Sequence, residues 1–160
     1  MTKAVHERFV RAYWLSALAD TTLEEVTLGE ITAGTRLEKM TVDGLGSSPT
    51  NNKASVVLMD TEQIAEAPGT RSQALTMKFV RDTVEGEDVS WEMFDHGTPG
   101  FLVVCRLRVG DPVAGDRVEI YKGGTFEPQP MAATQDTYQQ YDVEVAVEAW
   151  EIKATVVAGS

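Results

Sequence analysis

The sequence predicts a mainly β, single-domain protein with one short α-helix, and three observations lead there. From Tyr138 to Val157 the chain alternates, with Val143, Val145, Val147 and Ala149 interleaved by Asp142, Glu144 and Glu148, the two-residue period of a half-buried strand. Shorter apolar runs elsewhere are separated by clusters of Gly, Pro, Asn, Asp and Ser. One segment alone, Glu87 to His96, shifts to three- and four-residue apolar steps. A chain of 160 residues buries about 69% of its unfolded surface, ample for one core and too little for two comfortable ones.

In the C-terminal strand the apolar phase slips by one near Ala149 and Trp150, continuing on Trp150, Ile152, Ala154 and Val156. A bulge does this, and it bends a strand so that its two ends serve different sheets. A tight turn is the alternative, but no Gly, Pro or Asn lies between Tyr141 and Ala158.

Taken from the start, residues 1–22 are a candidate N-terminal arm, within which Phe9 to Leu18 is aromatic and apolar with little helical capping; it fits a strand or a short helix and is read as a strand. Leu23 to Ile31 mixes apolar and acidic residues before the small-residue turn Thr32 to Thr35. Arg36 to Val42 is a strand, and Ala54 to Met59 is a second. Between them Asp43, Gly44, Gly46, Ser47, Ser48, Pro49, Thr50, Asn51, Asn52 and Lys53 form a stretch rich in turn formers, expected to be an exposed, flexible hairpin tip. Such a tip is either an idle loop or an arm that orders against a neighbour. A loop over Glu62 to Thr70, with Pro68-Gly69, leads into a strand carrying Leu75, Met77 and Phe79.

The helix is expected from Glu87 to His96. Glu87 and Asp88 stand at its positive end, Gly97 and Pro99 stop it, and Val89, Trp91 and Met93 pack it on a sheet, since ten residues are marginal alone in water. Phe101 to Val109 reads as a central strand covered on both faces. Gly110-Asp-Pro112 turns it, Arg117 to Tyr121 is a further strand, and Lys122-Gly-Gly124 with Glu127 to Pro130 marks a second irregular region.

The formal charge of −11 splits unevenly, −2 over residues 1–80 (eight basic, ten acidic) and −9 over residues 81–160 (six basic, fifteen acidic). Such a surface repels nucleic acid, which argues against a DNA-gripping role. No apolar run is long enough to span a membrane, and Met1 to His6 lacks the features of a signal peptide, so synthesis in a reducing cytoplasm is expected. Cys105 has no second cysteine to pair with and reads as a buried small hydrophobe. His6 and His96 are the only histidines, and neither a zinc-ligand spacing nor a Gly-Lys-Ser/Thr phosphate loop is present. No metal site, cofactor or catalytic set is expected, and an enzyme is not.

Four blocks carry a resemblance: Leu23-Glu24-Glu25 with Ile31-Thr-Ala-Gly34-Thr35; His96-Gly97-Thr98-Pro-Gly100 before Phe101 to Arg106; Gly115-Asp116-Arg-Val118-Glu119-Ile-Tyr121; and Tyr141-Asp-Val143 through Trp150-Glu-Ile152-Lys-Ala154-Thr-Val156. In this order they resemble tail tube (major tail) proteins of long-tailed, siphovirus-type bacteriophages. The resemblance implies a two-sheet β-sandwich or barrel with one short flanking α-helix. It implies a virion structural protein whose hexameric rings stack into a tube for DNA ejection, with tape-measure, tail-tip and tail terminator proteins as partners. The stretch 43–53 resembles the long hairpin loop by which such proteins reach an adjacent subunit or the next ring. Asp142, Glu144 and Glu148 are candidates for an acidic lumen lining, an inference from their shared wet face that outer solvent would satisfy equally. The alternatives are a tail terminator or head–tail connector ring of related fold, and a monomeric acidic β-sandwich binding module.

Overall fold

The computed structural model describes residues 11–57, 64–81, 86–106, 110–132, 135 and 138–159, with backbone alone at 41–44, 57, 64 and 65. In chain order the elements are β1 (Arg11–Leu15), β2 (Glu25–Thr27), α1 (Leu28–Ala33), β3 (Thr35–Arg36), β4 (Met40–Val57), β5 (Ile64–Val80), α2 (Val89–Met93), β6 (Thr98–Cys105), β7 (Arg117–Thr125), β8 (Gln129–Pro130) and β9 (Gln140–Val157). Residues 1–10, including the start of the expected N-terminal arm over 1–22, lie outside the described residues.

The long C-terminal strand is the spine. β9 pairs with β7 and β8 on one side and with β5 and the short parallel β2 on the other. Against β7 the register runs Val118↔Ala154, Ile120↔Glu151, Lys122↔Ala149 and Gly123↔Val147, so β9 carries an extra residue twice, between Glu151 and Ala154 and at Glu148. The slip read from the sequence is therefore two bulges flanking Trp150, not a turn. Gly123 is required at the Glu148 bulge, because a Cβ there would lie 2.1 Å from the Ala146 carbonyl oxygen.

The sheet path is β3-β1-β6-β7-β9-β5-β4, and its two ends, β3 and β4, are separated in the chain by residues 37–39 alone. Leu37 N–H donates to the Ala12 carbonyl at 2.9 Å and Val80 N–H to the Lys39 carbonyl at 2.8 Å, so one crossing segment joins both margins and rolls the sheet closed. The expected mainly β sandwich or barrel is what forms, its layers being halves of one continuous sheet.

Two cores occupy the two faces. Inside lie Ala12, Trp14, Leu75, Met77, Phe79, Leu102, Val104, Tyr121, Tyr141, Val143 and Val145; outside, under α1 and β2, lie Tyr13, Leu15, Val26, Ile31, Val103, Val118, Ile120, Ala154 and Val156. Strict alternation in β1 and β6 supplies both cores, and Leu102 to Cys105 are all buried, as the reading of a doubly covered central strand expected. β9 does the same by halves: Val143 and Val145 face inward, Ala154 and Val156 outward, and between the two bulges Trp150 packs on the inner core and Ala149 on the outer one.

Two helices, not one, are present among the described residues. α1 is closed by a capping box in which Glu30 N–H donates to Thr27 Oγ1 at 3.1 Å and Thr27 N–H donates to Glu30 Oε1 at 3.0 Å. The predicted helix shrinks from Glu87–His96 to Val89–Met93. Asp95 N–H is taken by Thr98 Oγ1 at 3.0 Å, and Gly97, at φ +86°, donates to the Thr125 carbonyl at 2.7 Å, so the chain is drawn into the β6–β7 ladder before another turn can form.

Candidate assembly surfaces

The largest departure from expectation is the stretch from Asp43 to Lys53. It is not a loop: it lies within β4, paired residue by residue with β5 from Leu45↔Met77 to Asn51↔Arg71, and then from Lys53↔Pro68 to Val57↔Ile64. The loop expected over Glu62 to Thr70 is likewise strand from Ile64 onward, so the hairpin joins β4 to β5 and not residues 36–59 among themselves. Turn-forming residues are tolerated because the ladder supplies the backbone hydrogen bonds, and Pro49 sits on a strand whose other edge is unpaired, where a missing N–H costs nothing.

β5 pairs with β9 only from Ala74 to Val80. Beyond Gln73 the hairpin pairs with no other strand and becomes an arm, Pro49–Val57 against Ile64–Gln73, roughly 30 Å long at about 3.3 Å per residue. Pro49, Thr50, Asn51, Asn52 and Lys53 are all exposed on it, as are Gly46, Ser47 and Ser48 at its base. Val56 is an apolar residue 57% exposed near its far end, and Lys53 pairs with Glu66 across it at 3.2 Å. The backbone of Asp43 and Gly44 lies in an irregular stretch where the register shifts between Met40 and Leu45.

The candidate acidic residues fall on the outer side of β9, opposite inward Val143 and Val145. Asp142 is half-buried, lies across from Lys78, and has one carboxylate oxygen buried without a hydrogen-bond partner among the described residues. Glu144 is exposed across from Thr76, and Glu148, in a bulge, is exposed with its carboxylate 4.0 Å from Lys122 Nζ. The patch is thus acidic residues set among Lys78 and Lys122, a mixture that spacing along one strand does not reveal.

Helix docking differs from expectation in one residue. Trp91 and Met93 pack on the inner core, but Val89 is 48% exposed, and the anchor is Phe94, fully buried just past the helix. Phe94 meets Trp14 edge-on at 5.1 Å, Trp91 meets Tyr141 edge-on at 5.0 Å, and Phe79 stacks on Tyr141 at 5.4 Å. Asp88 makes no cap. It takes a hydrogen bond from Arg81 at 2.7 Å, while the Arg81 guanidinium covers the Trp91 ring at 3.7 Å.

A half-buried polar set lies beside the cores. Glu119 accepts hydrogen bonds from Arg106 and, at 2.8 Å, from Tyr121 Oη. Burial, with the Glu119 carboxylate beside it, pushes the Tyr121 phenol up to about 12. Sequence reading missed this set because Arg106, just past β6, meets Glu119 of β7 only once the two strands pair. Among the described residues no group of three or more His, Cys, Asp or Glu is placed to hold a metal, and His96 is exposed against Phe126. Among the described residues no helix is long and apolar enough to cross a membrane.

A rolled sheet with two cores and a projecting strand arm defines a small β-barrel protein whose most extended surface is a hairpin. The chain belongs to the phage tail tube protein family, whose model matches residues 3–160. It is a structural component of a phage tail, as the sequence resemblance implied. No curated protein matches it at a significant level. Among solved structures it is similar in fold to a chain of the anti-feeding prophage baseplate, determined by cryo-electron microscopy with six-fold symmetrisation, at a TM-score of 0.60 and 9% identity over 96% of this chain and 97% of that one.

Proposed function

We propose that this protein is the tail tube subunit itself, six copies closing into a ring and rings stacking into the conduit through which DNA is ejected from a siphovirus-type tail. The observation that carries the reading is the arm: about 30 Å of paired strand that pairs with no strand of its own barrel, exposing backbone edges and Val56, is a surface that assembly would cover. Support comes from the family and from a fold shared over nearly the full length with a chain of a six-fold symmetrised particle. In this reading residues 43–53 serve contacts with a neighbour or the next ring as one strand of a rigid arm. Glu144 and Glu148 contribute to a lining that repels phosphates, with Asp142 contributing less. Tape-measure, tail-tip and terminator proteins are the partners, and catalysis plays no part.

The baseplate origin of the structural neighbour favours one second reading, a ring that forms at a tail end and does not polymerise. Mass in solution across a concentration series, with negative-stain microscopy of the same samples, separates the two. Hollow tubes of stacked rings support the tube subunit; rings that never stack, even on purified tail tips, support the end ring. A monomer that tail tips also fail to recruit would overturn both and leave a binding module.

A further inference from the structure

Two features meet where the arm leaves the barrel. The first is a bulge in β5: the pairs Asn51↔Arg71 and Lys53↔Pro68 leave one extra residue on β5 at Gly69-Thr70. A Cβ at Gly69 would stand 2.9 Å from the Asn52 carbonyl oxygen, so the two backbones approach more closely than any side chain permits, and Asn52 Nδ2 braces the bend by donating to Thr70 Oγ1 at 2.9 Å. The second is a contact back to the body. The Arg71 guanidinium lies 4.8 Å above the ring of Trp150, a residue of β9 four positions past the last one that β5 pairs with. Trp150 is itself packed against the inner core, so it is an anchored platform.

We propose that Arg71 on Trp150, together with the Gly69 bulge, forms an elbow that sets the direction of the arm in the isolated subunit, before any partner is met. The bulge bends the hairpin, and the cation–π contact selects one bent orientation among those the bend allows. A contact of this kind favours the held over the released arm by a factor of a few to about thirty. A preset arm loses less orientational freedom on docking. That last consequence rests on the assembly reading; the elbow itself does not.

The test is a distance distribution between nitroxide labels on the full chain, at Ser55→Cys on the arm and Thr32→Cys on α1, with buried Cys105 replaced by alanine. The labelled parent should give a single narrow distribution. Arg71→Ala, which removes an exposed side chain, should roughly double its width with circular dichroism unchanged. Arg71→Lys should restore part of the narrowing, and Gly69→Ala should move the mean by forcing the bend. A broad parent distribution, or one that Arg71→Ala and Gly69→Ala both leave unaltered, overturns the elbow and leaves the tube reading intact. A distribution that Arg71→Ala widens while tubes form as readily as before upholds the elbow and overturns its benefit to docking.

Discussion

At the scale of single residues, half-buried polar groups hold the barrel together as well as apolar ones. Glu119 satisfies both Arg106 and Tyr121, so Glu119→Ala should destabilise the protein by about 2 kcal/mol, because a partly buried cation and a phenol both lose their acceptor. Urea unfolding followed by tryptophan fluorescence measures it. The same site fixes an alkaline limit. In the unfolded chain a phenol ionises near 10, whereas Tyr121 is held protonated to about 12 and Tyr141, buried beside Asp88, is raised as well. A folded pKa above the unfolded one contributes stability that is whole below pH 10 and declines as pH rises from 10 towards 12. Tyrosinate absorbance should therefore show these two phenols ionising late and together with unfolding, and Tyr121→Phe should weaken the dependence.

At the scale of elements, what the sequence reveals depends on whether a side-chain pattern or a pairing partner decides the conformation. The β9 alternation and its slip were legible because burial imposes a period on side chains, and Leu102 to Cys105 were legible for the same reason. β4 was not: Gly46-Ser-Ser-Pro-Thr-Asn-Asn52 carries no period, since both faces of the arm are wet, and its strand conformation comes from β5 alone. α1 is too short to show a period, though Thr27-Leu-Gly-Glu30 was a readable capping box; Thr27→Ala should cost about 1 kcal/mol. Helix α2 was read in the right place with one wrong anchor. Phe94→Ala should cost about 3–5 kcal/mol, whereas Val89→Ala should stay within about 0.5 kcal/mol, a contrast that thermal denaturation of the two variants resolves.

At the scale of the molecule, the barrel and the arm are separable. The cores lie on the two faces of the closed sheet, and none of their residues comes from the arm beyond Gln73. Removing Asn51 through Arg71 and joining Thr50 to Ser72, which already face each other across the ladder, by an Asn-Gly turn should leave the melting temperature nearly unchanged. The same change should abolish stacking if the arm is the contact between copies. The most direct measurement is electron microscopy of the parent and the trimmed protein side by side, each with purified tail tips present as nuclei. The account predicts hollow tubes of six-fold rings from the parent and none from a folded trimmed protein. Tubes of equal length from both, or none from the parent, would contradict it.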